Sequence, residues 1–126
     1  MSRKFIRRLD HADWVKDQLG TLVVSKNAFR CRQVDTGLSV FLWGEDLNLE
    51  AFRAHSWLPS GDKPGICWVW ESSIAKLELQ LTLDPEPRDS PWADSHYSMT
   101  CPQSQQRIQL AAHAVVTHPY EPAIHS

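Results

Sequence analysis

The strictest alternation of apolar and polar residues in this chain lies at residues 77–83, which read Leu-Glu-Leu-Gln-Leu-Thr-Leu. A period of two is typical of a β-strand that has one face on the core and the other in water. The pattern therefore predicts a strand over residues 77–83. A Pro- and Asp-rich loop, residues 84–96, follows directly. The junction of strand and loop is the first place at which we expect a functional site.

Other segments also carry the apolar, β-branched and aromatic residues that favour strands. Residues 38–43 and 66–70 are apolar at nearly every position, as expected of central strands that are covered on both faces. The remaining predicted strands are residues 5–9, 29–34 and 96–100.

Capping residues predict the helices. Asp10 and Asp13 have the spacing of a capping box, which predicts a helix over residues 11–19. A second helix is predicted to begin at Asp46 or Asn48.

A third helix is predicted near the C-terminus. Thr100-x-x-Gln103 resembles a capping box, and Pro119 is predicted to end the helix. The spacing of the apolar residues predicts a buried stripe formed by Ile108, Ala111, Ala112 and Val115.

Together the elements predict one α+β domain. We expect a mainly antiparallel sheet of five or six strands with about three helices packed on one face. The domain is predicted to span residues 1–118, followed by a flexible tail at residues 119–126. A chain of 126 residues buries roughly two-thirds of the surface that its unfolded form exposes, so one domain can have a sufficient core.

The three cysteines, at positions 31, 67 and 101, are widely spaced and form no Cys-x-x-Cys motif. This arrangement predicts reduced thiols and a cytoplasmic protein. Apolar segments are too short to cross a membrane, so no membrane partner is expected. Cys31 lies between two arginines, and Cys101 lies near a predicted helix start, which makes both candidate nucleophiles.

The formal net charge is −2, but the charges are unevenly distributed. Residues 1–32 contain eight Lys and Arg against three Asp, a net charge of +5, which leaves −7 for the rest of the chain. The basic end predicts either ion pairs with the protein's own carboxylates or contact with an anion such as nucleic acid. The candidate anion-binding residues are Arg3, Lys4, Arg7 and Arg8.

The loop at residues 84–96 contains possible metal ligands. Asp84, Asp94 and His96 offer the oxygen and nitrogen donors that Mn²⁺, Mg²⁺ or Zn²⁺ accept. One hypothesis is therefore a metal-dependent hydrolase or nuclease that activates a water molecule at this loop. The alternative interpretation is a solvated acidic loop without a cofactor, in which Trp92 covers the core.

We find no complete catalytic set in the sequence, and six tryptophans are a high number for this length. Tryptophan is enriched in the residues that dominate binding energies, and surface carboxylates can face a basic target. The sequence therefore predicts a small, soluble, non-catalytic interaction protein whose partner is another protein. A neutralising protein of the immunity or antitoxin type, or a subunit of a complex, would fit. The predicted contact residues are Asp89, Trp92, Asp94 and His96.

Overall fold

A computed structural model of the protein describes residues 2–32, 36–45, 47–54, 62–86 and 92–121. Those residues form strands and helices in the following order. The strands are β1 (Lys4–Leu9), β2 (Trp14–Lys16), β3 (Leu22–Val24), β4 (Leu38–Leu42), β5 (Gly65–Trp70), β6 (Leu81–Leu83), β7 (His96–Met99) and β8 (Val115–His118). The α-helices are α1 (Leu49–Ala54), α2 (Glu71–Lys76) and α3 (Ser104–His113).

Six of the strands form one antiparallel sheet in the order β6-β7-β4-β1-β5-β8, and β2 pairs with β3 in a separate sheet. The molecule is a single small α+β domain, and the predicted fold class is confirmed. The apolar segments at residues 38–43 and 66–70 correspond to β4 and β5, which flank β1 on either side. Within the described residues, none of the helices combines the length and the apolar character that crossing a membrane requires.

Alternation along the strands builds a hydrophobic core on each face of the large sheet. On β1, Phe5 and Leu9 point to the first core, where Ile74 of α2 and Leu110 of α3 are also buried. The second core lies on the opposite face and includes Phe52 of α1. The helices are therefore divided between the two faces, whereas the sequence predicts them on one. The buried residues of the second core are Ile6, Phe41, Leu47, Phe52 and Ile66.

The predicted helix at residues 11–19 is wrong. Asp10 and Asp13 do form a capping box, but it closes a single 3-10 turn at His11–Asp13. The chain then enters the β2–β3 hairpin. In the turn, the carboxylate of Asp17 accepts hydrogen bonds from backbone N–H groups, and Gly20 adopts a φ of 80°, which favours glycine.

The predicted strand at residues 77–83 is confined to β6. Helix α2 ends at Lys76, and Glu78 adopts a left-handed φ of 62°, so the chain turns before it can extend. Leu79 is nevertheless buried in the first core. Extended pairing begins only at Leu81, where β7 provides a partner strand.

The predicted strand at residues 29–34 is also wrong in its described part. Residues Lys26–Phe29 form a 3-10 helix whose N-terminus is capped by the hydroxyl of Ser25, and Phe29 packs in the first core. Residues 33 and 34 lie outside the described residues.

Helix α3 begins later and ends earlier than the sequence predicts, because it spans Ser104–His113 and Val115–His118 form β8. Gln103 is its N-cap and forms the capping box with Gln106, whereas Thr100 exchanges hydrogen bonds with Gln80 beside the β6–β7 pair. The predicted apolar stripe is wrong as well, because Leu110 is fully buried while Ile108 is 42% exposed. The helix packs against the Lys26–Phe29 segment and α2, and that contact decides which face is buried.

Helix α1 begins where one of the two predicted caps lies. The side-chain oxygen of Asn48 accepts a hydrogen bond from the N–H of Ala51 at 3.1 Å, while Asp46 lies outside the described residues.

Residues 119–121 follow β8 and contact the body of the domain. The buried guanidinium of Arg53 donates hydrogen bonds to the carbonyl oxygens of Pro64 and Pro119, each at 2.6 Å. Lys63 and Glu121 exchange backbone hydrogen bonds of 2.8 and 3.0 Å. In the predicted tail, Pro119 and Glu121 thus make these contacts, and residues 122–126 lie outside the described residues.

Candidate functional site

The four predicted partner-contact residues lie in different environments. His96 is buried, Asp94 is exposed, and Trp92 is half-buried with its ring edge-on to Phe52 at a centroid distance of 5.4 Å. Asp89 lies outside the described residues. Asp94 is therefore accessible at the surface and Trp92 is partly accessible, while the ring of His96 contacts atoms of its own chain.

His96 connects two other polar residues. Its Nδ1 lies 2.5 Å from the backbone carbonyl oxygen of Asp84 and 3.6 Å from the carboxylate of the same residue. Its Nε2 lies 3.0 Å from the hydroxyl oxygen of Ser39. A carbonyl oxygen can only accept, so Nδ1 carries a proton, and in the neutral ring Nε2 accepts the hydrogen bond from Ser39.

The sheet register positions these three groups. β7 pairs with β4 so that His96 lies opposite Phe41, and Ser39 projects from the same face as Phe41 because it is two residues away. On the other side of β7, the N–H of Asp84 donates to the carbonyl oxygen of His96 at 3.0 Å, directly after β6 ends. Phe41 packs against the imidazole in a T-shaped arrangement at 5.1 Å and helps to fix its orientation.

The metal hypothesis receives limited support from this geometry. Asp84 and His96 are neighbours, but within the described part of the chain no three His, Cys, Asp or Glu side chains are grouped closely enough to hold a metal ion. Asp94 therefore does not complete a site with the other two residues.

The four predicted anion-binding residues do not form one basic patch. Arg3 donates hydrogen bonds of 3.2 and 2.7 Å to the two carboxylate oxygens of Glu71 and another of 3.3 Å to the hydroxyl of Tyr97. These bonds raise the pKa of Arg3, and the bonds that Arg3 donates to Glu71 lower the pKa of that carboxyl group. The charge of Arg3 is thus paired within the chain.

Strand alternation places Arg7 on one face of β1 and both Lys4 and Arg8 on the other. Arg7 donates to the carbonyl oxygens of Ala28 and Ser39 at 2.5 and 2.7 Å. Arg8 projects from the opposite face, where its guanidinium lies 4.6 Å from the ring centroid of Phe52.

Lys4 lies among three tryptophans on the face of the second core. Its ammonium is 5.0, 4.6 and 5.2 Å from the ring centroids of Trp43, Trp68 and Trp70, respectively. We refer to these four residues as the tryptophan–lysine cluster. Lys4 is the register partner of Trp70, and its carbonyl oxygen accepts a hydrogen bond of 2.9 Å from the N–H of Trp43. The side chains of Trp43, Lys4 and Trp70 therefore form a row across the sheet.

This cluster borders open surface. Trp70 is 40% exposed, and Trp43 and Trp70 line a surface pocket of about 740 Å³ together with polar residues of the N-terminal segment. Glu45 lies on the same pocket. An ammonium held by aromatic faces and indole rings open to solvent are features of a binding surface.

Two of the cysteines are not thiols. Cys31 and Cys101, which are 70 positions apart, form a disulfide with a Cα–Cα distance of 5.7 Å. The prediction that they are reduced candidate nucleophiles is wrong, because the fold brings the two segments together in a way that sequence spacing does not indicate. Cys67 is free and buried in the first core. Its burial raises the pKa of the thiol to about 12.

Sequence reasoning missed Ser39 and the tryptophan–lysine cluster, although weak signals existed for both. Ser39 is the one polar residue in the apolar segment at residues 38–42, and the i, i+2 spacing of Trp68 and Trp70 places them on one face of a strand. Comparisons with protein-family models, with curated protein sequences and with solved structures find no match to this chain.

Proposed function

We propose that this protein is a partner-binding protein and that the tryptophan–lysine cluster is its contact surface. The observation that carries the proposal is the exposure of Trp70 beside an ammonium that is surrounded by three indole rings. The partner is another protein, either a target that is neutralised by the contact or a neighbouring subunit of a complex. The surface needs no cofactor for this function.

The rigidity of the cluster supports this assignment. Trp68 and Trp70 pack edge to face with a centroid distance of 4.8 Å, and Trp43 lies against Trp68 at 6.3 Å. Their backbones belong to, or directly follow, strands that flank β1 at the centre of the sheet. An aromatic side chain that is already ordered loses little conformational entropy when a partner covers it, so more of the contact energy remains as affinity.

The charges around the cluster favour a protein partner over a polyanion. Arg3 on the pocket is paired with Glu71, and Glu45 adds a carboxylate near Lys4. Nucleic-acid sites combine aromatic rings with an excess of positive charge along the backbone path. The balance of charge around this pocket lacks such an excess, which favours apolar contact by a protein surface.

The disulfide bears on the compartment in which the partner is met. Disulfides persist mainly in oxidising environments and are rare among cytoplasmic proteins. We therefore place the contact in an oxidising compartment, in place of the cytoplasm that the sequence predicts. Thiol titration of protein isolated from its native host under alkylating conditions tests this, because a cytoplasmic protein would yield free Cys31 and Cys101.

The binding proposal is tested by affinity capture from the native host with matched variants. The tagged wild type is compared with Trp70→Ala and with Leu83→Ala, which truncates a more exposed apolar side chain, at 54%, on β6 away from the cluster. We expect a protein that is retained by the wild type and by Leu83→Ala but lost with Trp70→Ala. The affinity loss should be at least about 30-fold, equivalent to roughly 2 kcal/mol for a dominant contact residue.

Trp92→Ala separates this surface from the one that the sequence predicts. Because Trp92 packs on Phe52, we expect the variant to lose stability and to keep the partner when it is folded. The proposal would be contradicted if Trp70→Ala retained the partner. It would also be contradicted if only Trp92→Ala abolished capture of the partner. The proposal would also be contradicted if no protein were captured by both the wild type and Leu83→Ala.

A further inference from the structure

The hydroxyl of Ser39, the imidazole of His96 and the backbone carbonyl oxygen of Asp84 form a hydrogen-bonded series, and the carboxylate of Asp84 lies 3.6 Å from the ring. From it we infer that Ser39 is a nucleophilic serine, activated by His96, that accepts the acyl group of a carboxylic ester. This activity is separate from the proposed partner contact, because it uses none of the residues of the tryptophan–lysine cluster.

The tautomer of His96 allows it to act as a base toward Ser39. The proton on Nδ1 is held by the carbonyl oxygen of Asp84 at 2.5 Å, which leaves Nε2 as the acceptor facing the hydroxyl of Ser39 at 3.0 Å. A nucleophile within hydrogen-bond distance of a base, with the base oriented by a third group, is the arrangement that activates serine in acyl transfer.

The charge of Asp84 also favours His96 as a base. When His96 takes the hydroxyl proton, the ring becomes an imidazolium. The carboxylate of Asp84 lies 3.6 Å from Nδ1 and stabilises that charge as it forms. The side chain of His96 is 6% exposed and that of Asp84 is 59% exposed, so water screens this interaction mainly from the side of the carboxylate.

The hydroxyl of Ser39 is also accessible to a substrate. Ser39 is the second residue of β4 and is exposed, although its neighbours Leu38 and Val40 are buried on the opposite face. The buried ring of His96 is held by Phe41 and by its two hydrogen bonds. A fixed base beneath a solvent-accessible hydroxyl lets an ester approach the oxygen without any rearrangement of the base.

The proposed reaction balances with water as the second reactant. The Oγ of Ser39 forms a bond to the ester carbonyl carbon, its proton passes to Nε2 of His96, and the C–O bond to the leaving alcohol breaks as that alcohol receives the proton. The products are acyl-Ser39 and the free alcohol. Water then attacks the acyl carbon and gives a proton to His96, the bond between that carbon and Oγ of Ser39 breaks, and Oγ receives the proton from His96, which releases a carboxylic acid and restores the serine.

The test uses the whole folded protein and p-nitrophenyl acetate. Release of p-nitrophenolate is followed by absorbance, and peptide mass spectrometry locates the acetyl group. We expect acetylation of Ser39 in the wild type. Ser39→Ala should release p-nitrophenolate at least about 100-fold more slowly, which is the lower end of the usual contribution of general base catalysis.

Ser98→Ala is the matched control. Ser98 is the register partner of Ser39 on β7 and projects from the same face, but it is not the residue that contacts His96 Nε2. Its rate should equal that of the wild type within a factor of two. Acetylation at any residue other than Ser39, or an equal loss of rate in both serine variants, would overturn the inference.

His96→Gln tests the base, and a second variant covers the case in which this buried substitution prevents folding. In Ser39→Cys, the thiol replaces the hydroxyl against the unchanged His96. We expect iodoacetamide to alkylate it at neutral pH at least about 10-fold faster than the thiol of Ser98→Cys, because a neighbouring imidazole increases the thiolate fraction. Equal alkylation rates for the two thiols would show that His96 does not activate position 39.

Discussion

The ammonium of Lys4 lies 4.6 Å from the ring centroid of Trp68, with Trp43 and Trp70 at similar distances on either side. Replacing Lys4 by Met keeps the length of the apolar stem and removes the charge. We expect the free energy of unfolding to fall by about 1 kcal/mol, because cation–π contacts at partly exposed sites contribute about 0.5–1 kcal/mol. Urea denaturation followed by tryptophan fluorescence measures the change.

Lys16→Met is the control for this substitution. Lys16 is an exposed lysine on β2, which belongs to the separate two-stranded sheet. Its replacement should change the free energy of unfolding by no more than about 0.5 kcal/mol, as is usual for surface positions. Equal effects of the two substitutions would mean that the tryptophans do not stabilise the charge of Lys4.

The Cys31–Cys101 disulfide closes a long loop, and its reduction should lower stability markedly. For a sequence separation of 70 residues, the chain-entropy relation gives a stabilisation of about 4 kcal/mol. We expect dithiothreitol to lower the urea midpoint of the wild type and to leave that of a Cys31→Ser, Cys101→Ser double variant unchanged. Identical wild-type midpoints with and without the reductant would argue against the disulfide.

Cys67 should be chemically silent in the native state. Because burial raises the pKa of this thiol to about 12, Ellman's reagent at pH 8 should detect no thiol in the folded oxidised protein. One thiol should appear in urea, and all three should appear after denaturation with reduction. Detection of a thiol before unfolding would contradict the burial of Cys67.

The same shift predicts how stability depends on pH. The thiol pKa is higher in the folded chain than in the unfolded chain, where it is about 8.5. The stabilising contribution is therefore complete below about pH 8.5 and declines as the pH rises toward 12. Unfolding measured from pH 8 to pH 10 should show a steeper decline in the wild type than in Cys67→Ala. Parallel declines would count against the shift.

Gly65 allows close packing between the two sheets. A Cβ at this position would overlap with the indole of Trp14 and lie 3.1 Å from the carbonyl oxygen of His118. We expect Gly65→Ala to destabilise the protein by about 1–3 kcal/mol, as overpacking of a core position does. Gly44→Ala is the control, because a Cβ there has no heavy atom within 4 Å. Thermal unfolding of both variants measures the effect. Equal unfolding midpoints for the two variants would mean that the packing at Gly65 is loose.

Local sequence patterns were sufficient where several signals agreed. The apolar runs at residues 38–43 and 66–70 became β4 and β5, because an uninterrupted run of that length is stable only when both faces are covered. The Asp10–Asp13 capping box also formed. The length of the predicted helix was wrong, because a capping box specifies where a helix starts but not how far it continues. Residues 14–16 instead pair with β3.

The contacts around His96 show the same division. The loop at residues 84–96 drew attention to Asp84 and His96, which are in contact. Ser39 could not be associated with them from the sequence, since its 57-residue separation from His96 is bridged only by the pairing of β4 with β7. The tryptophans were recognised as an excess in composition, but their arrangement around Lys4 depends on the register of β1 with β5.

By itself, the sequence determined the α+β class, the central strands and the alternation that assigns each strand residue to one face, because these depend on neighbours a few positions away. The tertiary structure alone decided which strands pair, in which register, and hence which side chains meet: the disulfide, the tryptophan–lysine cluster and the contact between Ser39 and His96. Those contacts join distant segments, and the order and register of strands are set by the packing of the whole sheet and both of its cores.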